Sequence, residues 1–149
     1  MSASGPPPPP EVELHRPAWW RPPDGMVPGV VPVQLVLART PDRAIGLTGI
    51  RAYPNGFDFA VVVRPRPGRP REPRGRDHRA NFGLQFEIGF ADGHVVGNHP
   101  RHLPRDFEAR APDRPMLYQT SGGGGDGVWR FHQWLWRLPP PGSLVFACA

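Results

Sequence analysis

Lysine is absent from the sequence and cysteine occurs once. All eighteen basic residues are arginines, isoleucine and asparagine are rare, and proline and glycine are abundant. These preferences follow GC-rich codons, so part of the arginine content reflects codon usage rather than function. The single Cys148 excludes an internal disulfide framework.

Long apolar runs are also lacking. The longest uninterrupted run is a few residues, well short of the roughly 20 residues that a membrane-spanning helix needs. The chain does not begin with a basic segment followed by an apolar one, which is the pattern of a secretory signal peptide. We therefore expect a cytoplasmic protein with no membrane partner.

The net positive charge is confined to residues 64–79. Seven arginines stand there against Glu72 and Asp77, which gives a charge of +5, equal to the formal net charge of the whole chain. A solvated arginine- and proline-rich segment can follow a phosphate backbone without reading base sequence. The candidate partner-binding arginines are Arg64, Arg66, Arg69, Arg71, Arg74, Arg76 and Arg79. A flexible spacer without a nucleic-acid partner is the favoured interpretation, because the rest of the chain is neutral.

Composition divides the chain into a tail and one domain. Residues 1–17 are dominated by proline, and a proline run adopts an extended conformation that needs no core. We predict a disordered tail there and a single domain over residues 18–149, with a flexible loop over residues 64–81. Trp19 and Trp20 interrupt the proline-rich start of the domain and are expected to anchor it.

Apolar residues recur at every second position through most of the domain, which is typical of strands. The clearest case is 82–90, where five large apolar residues alternate with small or polar ones. No segment has the period of a helix. The predicted strands are 33–39, 44–52, 56–63, 82–90, 94–97, 116–120, 128–138 and 143–149. We therefore predict an all-β, antiparallel β-sandwich of about seven or eight strands, with a small antiparallel barrel as the alternative.

Three connections follow from local signals. Residues 53–56 (YPNG) supply turn chemistry, with Asn55 and Gly56 as a strong hairpin pair. The strands on either side of the basic loop, 56–63 and 82–90, are expected to pair as a long-looped hairpin. The glycine-rich run 121–127 is expected to be a flexible hairpin connection. The chain ends inside its last predicted strand, which indicates either an edge strand or a truncated member of a longer family.

The layout resembles a group of β-rich proteins from high-GC actinobacteria that has no assigned activity. The likeness is carried by VPVQLVLART (31–40), GLTGIRAYPNGFDFAV (46–61), FGLQFEIGFADG (82–93) and WRFHQWLWRLPPPGSLVF (129–146). It covers most of the chain after residue 17. Those proteins are longer at the C-terminus, so the resemblance implies a truncation here, and it implies a fold without implying a mechanism.

No catalytic, cofactor-binding or metal-binding residue is assigned. His94, His99 and His102 have a loose metal-like spacing, but prolines interrupt the region and no cysteine is near. Candidate nucleophiles are equally weak, because Ser121 lacks a nucleophile-elbow motif and Cys148 has no histidine near it in sequence.

Two other groups of residues have a functional interpretation and an ordinary structural one. Asp58 and Glu87, both predicted to point outward from neighbouring strands, would form an acid–base pair, but such carboxylates usually only improve solubility. His132 is a candidate base, but a half-buried sheet histidine is the more common case. Trp134 and Trp136 lie on the same face of the 128–138 strand as His132 and are the other candidate partner-binding residues. Filling the core is the favoured role for the tryptophans.

The sequence therefore favours a non-enzymatic β-sandwich that acts as a binding or assembly module. Its expected partner is another protein, or a second copy that pairs through the C-terminal edge strand. Two alternatives stay open: a weak, non-specific nucleic-acid binder that uses the 64–79 segment, and a hydrolase or carbohydrate-binding module that uses the Trp/His face.

Overall fold

The computed structural model describes residues 17–68, 84–99 and 109–148. Within these ranges the chain forms eight β-strands and no helix. The strands are β1 (Gly29–Arg39), β2 (Arg43–Tyr53), β3 (Gly56–Pro65), β4 (Phe86–Gly89), β5 (Val95–Gly97), β6 (Met116–Gly125), β7 (Val128–Trp136) and β8 (Val145–Cys148).

The strands form two antiparallel sheets that pack face to face. The larger sheet has the order β1-β2-β3-β7-β6, and the smaller one has the order β5-β4-β8. One hydrophobic core joins them, with members from both sheets. The ring of Phe59 on β3 meets the ring of Phe146 on β8 edge to face, with their centroids 5.5 Å apart. The predicted all-β sandwich is confirmed.

Strand β3 lies at the centre of the larger sheet. Its inward row is Phe57, Phe59, Val61 and Val63, as the period-two pattern predicts. The opposite row, Asp58, Ala60 and Val62, is also buried, because β2 and β7 flank the strand on both sides.

The predicted hairpin between the two strands that flank the basic loop is wrong. Strand β3 pairs with β2 and β7, whereas β4 pairs with β5 and β8 in the other sheet. Each strand presents a complete apolar row, and two such rows bury more surface when they face each other across the sandwich than when the strands lie edge to edge. Strand β4 is also shorter than its pattern predicts.

The turn between β2 and β3 lies at the predicted residues 53–56, but Gly56 is not one of its central residues. Pro54 and Asn55 are the turn residues, and Gly56 is the first residue of β3, paired with Tyr53 on one side and Trp136 on the other. The glycine is required by close packing instead. A Cβ at position 56 would collide with the carbonyl oxygen of Leu135 and lie 2.9 Å from the indole ring of Trp134.

The glycine-rich run is mostly strand rather than connection. Strand β6 continues through Gly125, and only Asp126 and Gly127 form the turn into β7. Both residues have positive φ angles, 53° and 79°, as the two-residue hairpin turn that matches strand twist requires. The predicted hairpin is present, but its connection is the two residues Asp126 and Gly127 rather than the whole glycine-rich run.

The predicted tail lies almost entirely outside the described residues, and so does most of the 64–81 loop. The described chain begins at Pro17. Residues 17–27, which we call the N-terminal segment, form no strand and precede β1.

Candidate functional site

The outer face of the five-stranded sheet is the face turned away from the smaller sheet. Register pairing aligns its residues in rows that run across the strands. One row is Val36, Gly46, Val62 and Arg130, on β1, β2, β3 and β7 respectively. The next row is Gln34, Thr48, Ala60 and His132, and beyond it lie Arg51, Asp58 and Trp134.

The N-terminal segment covers one end of this face. The indole N–H of Trp134 donates to the carbonyl of Trp19 at 2.9 Å, and the Tyr118 hydroxyl donates to the carbonyl of Trp20. The side-chain amide of Asn55 donates to two further carbonyls of the segment, at 2.9 and 3.1 Å. The expected anchoring at the two tryptophans is present, and their main-chain carbonyls take part in it.

These contacts decide where the sequence-predicted aromatic residues lie. Trp134 is 0% exposed, and the ring of Tyr53 packs edge to face against it with centroids 5.9 Å apart. Trp136 is half-buried at the end of β7. Because Trp134 is buried, it offers no ring face to a ligand in this structure.

An ion pair marks the boundary of the covered end. The guanidinium of Arg51 on β2 donates two hydrogen bonds of 2.7 Å to the carboxylate of Asp58 on β3. Asp58 is only 8% exposed. The hydrogen bond to Asp58 raises the pKa of Arg51 above its ordinary value. Burial opposes this shift, and the negative charge of Asp58 adds to it.

The candidate acid–base pair of Asp58 and Glu87 is wrong. Glu87 lies on β4 in the smaller sheet and is exposed, whereas Asp58 lies on the outer face of the larger sheet. Each points away from the core on its own side of the sandwich, so the two carboxylates do not meet.

The other end of the outer face is an open cleft of about 650 Å³. Its floor lies on the inner strands β2 and β3 and consists of small side chains and one glycine: Ala44, Gly46, Thr48 and Val62. Gln34 and Val36 line its β1 side. This volume is within the range of small-molecule sites. We refer to it as the outer-face cleft.

Two arginines line the opposite side of the outer-face cleft, Arg64 on β3 and Arg130 on β7. Arg130 is the register partner of Val62, and Arg64 follows Val62 by two positions on the same face. The two residues are therefore diagonal neighbours, roughly 7 Å apart at their Cβ atoms. Neither guanidinium forms an ion pair with a described carboxylate.

Among its described residues, the basic segment contributes Arg64 to this site. Arg64 lines the outer-face cleft, and Arg66 lies just beyond β3, where its main-chain N–H donates to the Asp42 carbonyl at 2.9 Å. The other predicted partner-binding arginines, Arg69, Arg71, Arg74, Arg76 and Arg79, lie outside the described residues.

Sequence reasoning missed Arg130 and the floor of the outer-face cleft. The only available signal was the alternation of Arg130 with His132 and Trp134 on one face of β7. That pattern identifies a shared face but not the strand next to it. Gly46 and Val62 carry no functional signal in sequence, because small and aliphatic residues are ordinary in strands.

The structure brings together two residues that the sequence treats separately. Ser121 on β6 and His132 on β7 are register partners, and such pairs have Cβ atoms about 5 Å apart. No hydrogen bond joins their side chains. Asp58, the carboxylate nearest along β3, is already paired with Arg51, so it does not orient the histidine.

The remaining candidates do not form a site within the described ranges. Nδ1 of His94 lies 3.2 Å from the Asp92 carboxylate, and His102 is outside the described residues. Among the described side chains no group of three histidine, cysteine or acidic residues is placed to hold a metal ion. Burial raises the pKa of the Cys148 thiol on β8.

No protein-family model, curated protein or solved structure matches this chain. No helix in the described part of the chain is long and apolar enough to cross a membrane.

Proposed function

We propose that this protein is a cytoplasmic, non-catalytic binding module whose ligand occupies the outer-face cleft. One observation carries the proposal: Arg64 and Arg130 are diagonal neighbours beside a floor of small side chains, without a partner among the described carboxylates. Two like charges this close repel each other. A bound ligand that contacts both guanidinium groups offsets that repulsion.

The floor of the outer-face cleft lies on strands that are held firmly in the sheet. The floor residues belong to β2 and β3, which are hydrogen-bonded to neighbouring strands on both sides. A site built on inner strands holds its shape more closely than one on loops. The N-terminal segment covers the far end of the same face, and no residue of 17–27 lines the outer-face cleft.

The alternative of a hydrolase is supported only by the Ser121–His132 pair. A serine nucleophile needs a base within hydrogen-bond reach and a third group that orients the base. The described neighbours of His132 do not supply that third group, because Asp58 is held by Arg51. We therefore place binding ahead of catalysis.

The test is an amide-resolved NMR titration of the full chain with a library of anionic, neutral and cationic fragments. We expect shifts that cluster at the amides of Gly46, Thr48 and Val62. The amide of Gly93, in the β4–β5 turn, is the internal control and is expected to stay unchanged. A library in which no fragment perturbs the cleft amides would contradict the proposal.

The same preparation is screened with general esterase, phosphatase and glycosidase substrates. We expect no turnover above buffer. Turnover that survives repurification and is lost in both Ser121→Ala and His132→Ala would establish an enzyme and overturn the non-catalytic assignment.

A further inference from the structure

We infer that the ligand of the outer-face cleft is a small amphipathic anion, an inference that rests on the proposed function. Its carboxylate or phosphate group lies against Arg64 and Arg130. Its apolar part crosses Gly46 and reaches the exposed Val36 side chain on β1.

The arginine side of the cleft selects the head group. Guanidinium groups present planar, multiple donors that match carboxylate and phosphate oxygens. Arg64 and Arg130 are diagonal neighbours on one face, so one anion placed between them accepts hydrogen bonds from both. A cation has no described carboxylate to meet in this cleft, since Asp58 lies beyond it and is paired with Arg51.

The floor of the cleft sets the shape of the apolar part. The row from Arg130 through Val62 and Gly46 to Val36 crosses four adjacent strands. With strands about 4.8 Å apart, the row is about 14 Å long. Gly46 has no side chain, so the floor is lowest there. A chain of about eight carbons with an acidic head fits this distance.

The far end of the row explains one exposed apolar residue. Val36 lies on β1, on the opposite side of the cleft from the arginines, and is 59% exposed. Covering this side chain with the apolar part of the ligand removes its surface from water, which favours binding. The next residue, Leu35, pairs with the core residue Leu47 and faces the other side of the sheet.

A sugar ligand is disfavoured by the same geometry. Sugar rings stack on exposed aromatic faces, and Trp134, the aromatic residue in the nearest row, is fully buried beneath the N-terminal segment. No aromatic side chain lines the described cleft.

The probes are octanoate, octyl phosphate, the uncharged octanamide and inorganic phosphate, each titrated into the full chain. We expect octanoate and octyl phosphate to shift the Gly46 and Val62 amides, with octanamide binding at least about ten-fold more weakly. Octanoate favoured over octyl phosphate would indicate a carboxylate ligand, and the reverse preference a phosphate. Inorganic phosphate is expected to perturb only the arginine side.

Variants separate the head group from the apolar part. Arg64→Gln and Arg130→Gln are each expected to weaken octanoate binding about ten-fold, with folding unchanged because both side chains are exposed. Arg110→Gln, at an exposed arginine outside the cleft, is the charge-matched control and should bind as the wild type does. Val36→Ser is expected to weaken octanoate but not inorganic phosphate.

Each contrary outcome has a distinct meaning. Octanamide binding as tightly as octanoate in the cleft would overturn the anion inference and leave the binding module standing. Cleft shifts from cationic fragments alone would do the same. The absence of cleft shifts with every fragment and probe would overturn the proposed function itself. A short DNA duplex that perturbs the cleft amides more strongly than octanoate would replace the small anion with a nucleic acid.

Discussion

Two residues have a role in the structure that differs from the role their sequence context predicts. Asp58 looks like a solvated carboxylate on the outward side of a strand, yet it is buried and doubly hydrogen-bonded to Arg51. Gly56 looks like a turn residue, yet it lies where β7 and the Trp134 ring approach β3 too closely for a side chain. In both cases a neighbouring strand, distant in sequence, determines the role.

Gly56→Ala is expected to destabilise the protein by about 2–3 kcal/mol, because the added methyl group collides with the Leu135 carbonyl and the Trp134 ring. Gly123→Ala is the matched control. A Cβ at position 123 on β6 meets no atom within 4 Å, so its effect should stay within about 0.5 kcal/mol. Urea denaturation of both variants measures the difference. Equal stabilities for the two would contradict the close-approach role of Gly56.

At the scale of elements, the N-terminal segment is held by hydrogen bonds from the sheet rather than by strand pairing. Asn55, Tyr118 and Trp134 each donate to its main-chain carbonyls. Each proline in a segment has a main-chain carbonyl that accepts hydrogen bonds but no N–H group that donates them. Donors from the sheet suit such a segment, so it covers the buried face of Trp134 without becoming a strand.

Deletion of residues 1–27 is therefore expected to lower the free energy of unfolding by about 3–5 kcal/mol, through four lost hydrogen bonds and newly exposed aromatic surface. The emission of the remaining tryptophans should shift to the red. Deletion of residues 1–16 is the control and should change neither property. If deletion of residues 1–27 leaves the protein unfolded, Asn55→Ala is a milder test. It is expected to lower the free energy of unfolding by about 1–2 kcal/mol. Equal stability of the two deletion variants would show that the segment contributes nothing.

The edge strands differ in how they are protected. Strand β1 contains Pro32 and two register shifts, which are features that hinder pairing with another chain. Strand β8 has neither feature, has one hydrogen-bonded neighbour, and exposes 64% of Val145. Self-association through β8 stays a prediction, and β8 lacks the proline and the register shifts that β1 has.

At the scale of the whole molecule, the basic segment begins where the outer-face cleft ends. Arg64 belongs to both, whereas the charge beyond Arg66 lies outside the described residues. The proposed small anion needs only Arg64 and Arg130. That the remainder of the segment is a spacer stays a prediction, and the high isoelectric point does not by itself indicate a nucleic-acid partner.

We expect the wild type and a variant with residues 66–79 replaced by a short Gly-Ser loop to bind a random DNA duplex equally weakly. Arg64 is retained in the variant so that the cleft is unchanged. Affinity is measured across a salt titration. If the wild type bound more tightly, with log K falling against log salt at a slope of about −4 to −5, the segment would be a phosphate-binding element instead of a spacer.

The sequence by itself determined the fold class, the approximate positions of the strands and the rows that face the core. These properties are local, because side chains alternate along a strand whichever strand lies beside it. The inward row of β3 and the hairpin position at Asp126-Gly127 are of this kind.

Only the tertiary structure decided which strands are neighbours. Backbone hydrogen bonds between strands are available to almost any sequence, so the pairing of β3 with β7 and the placement of β4 in the other sheet leave little trace in local pattern. The outer-face cleft depends entirely on that pairing. Val36, Gly46, Val62 and Arg130 come from four strands and form one row because the register aligns them.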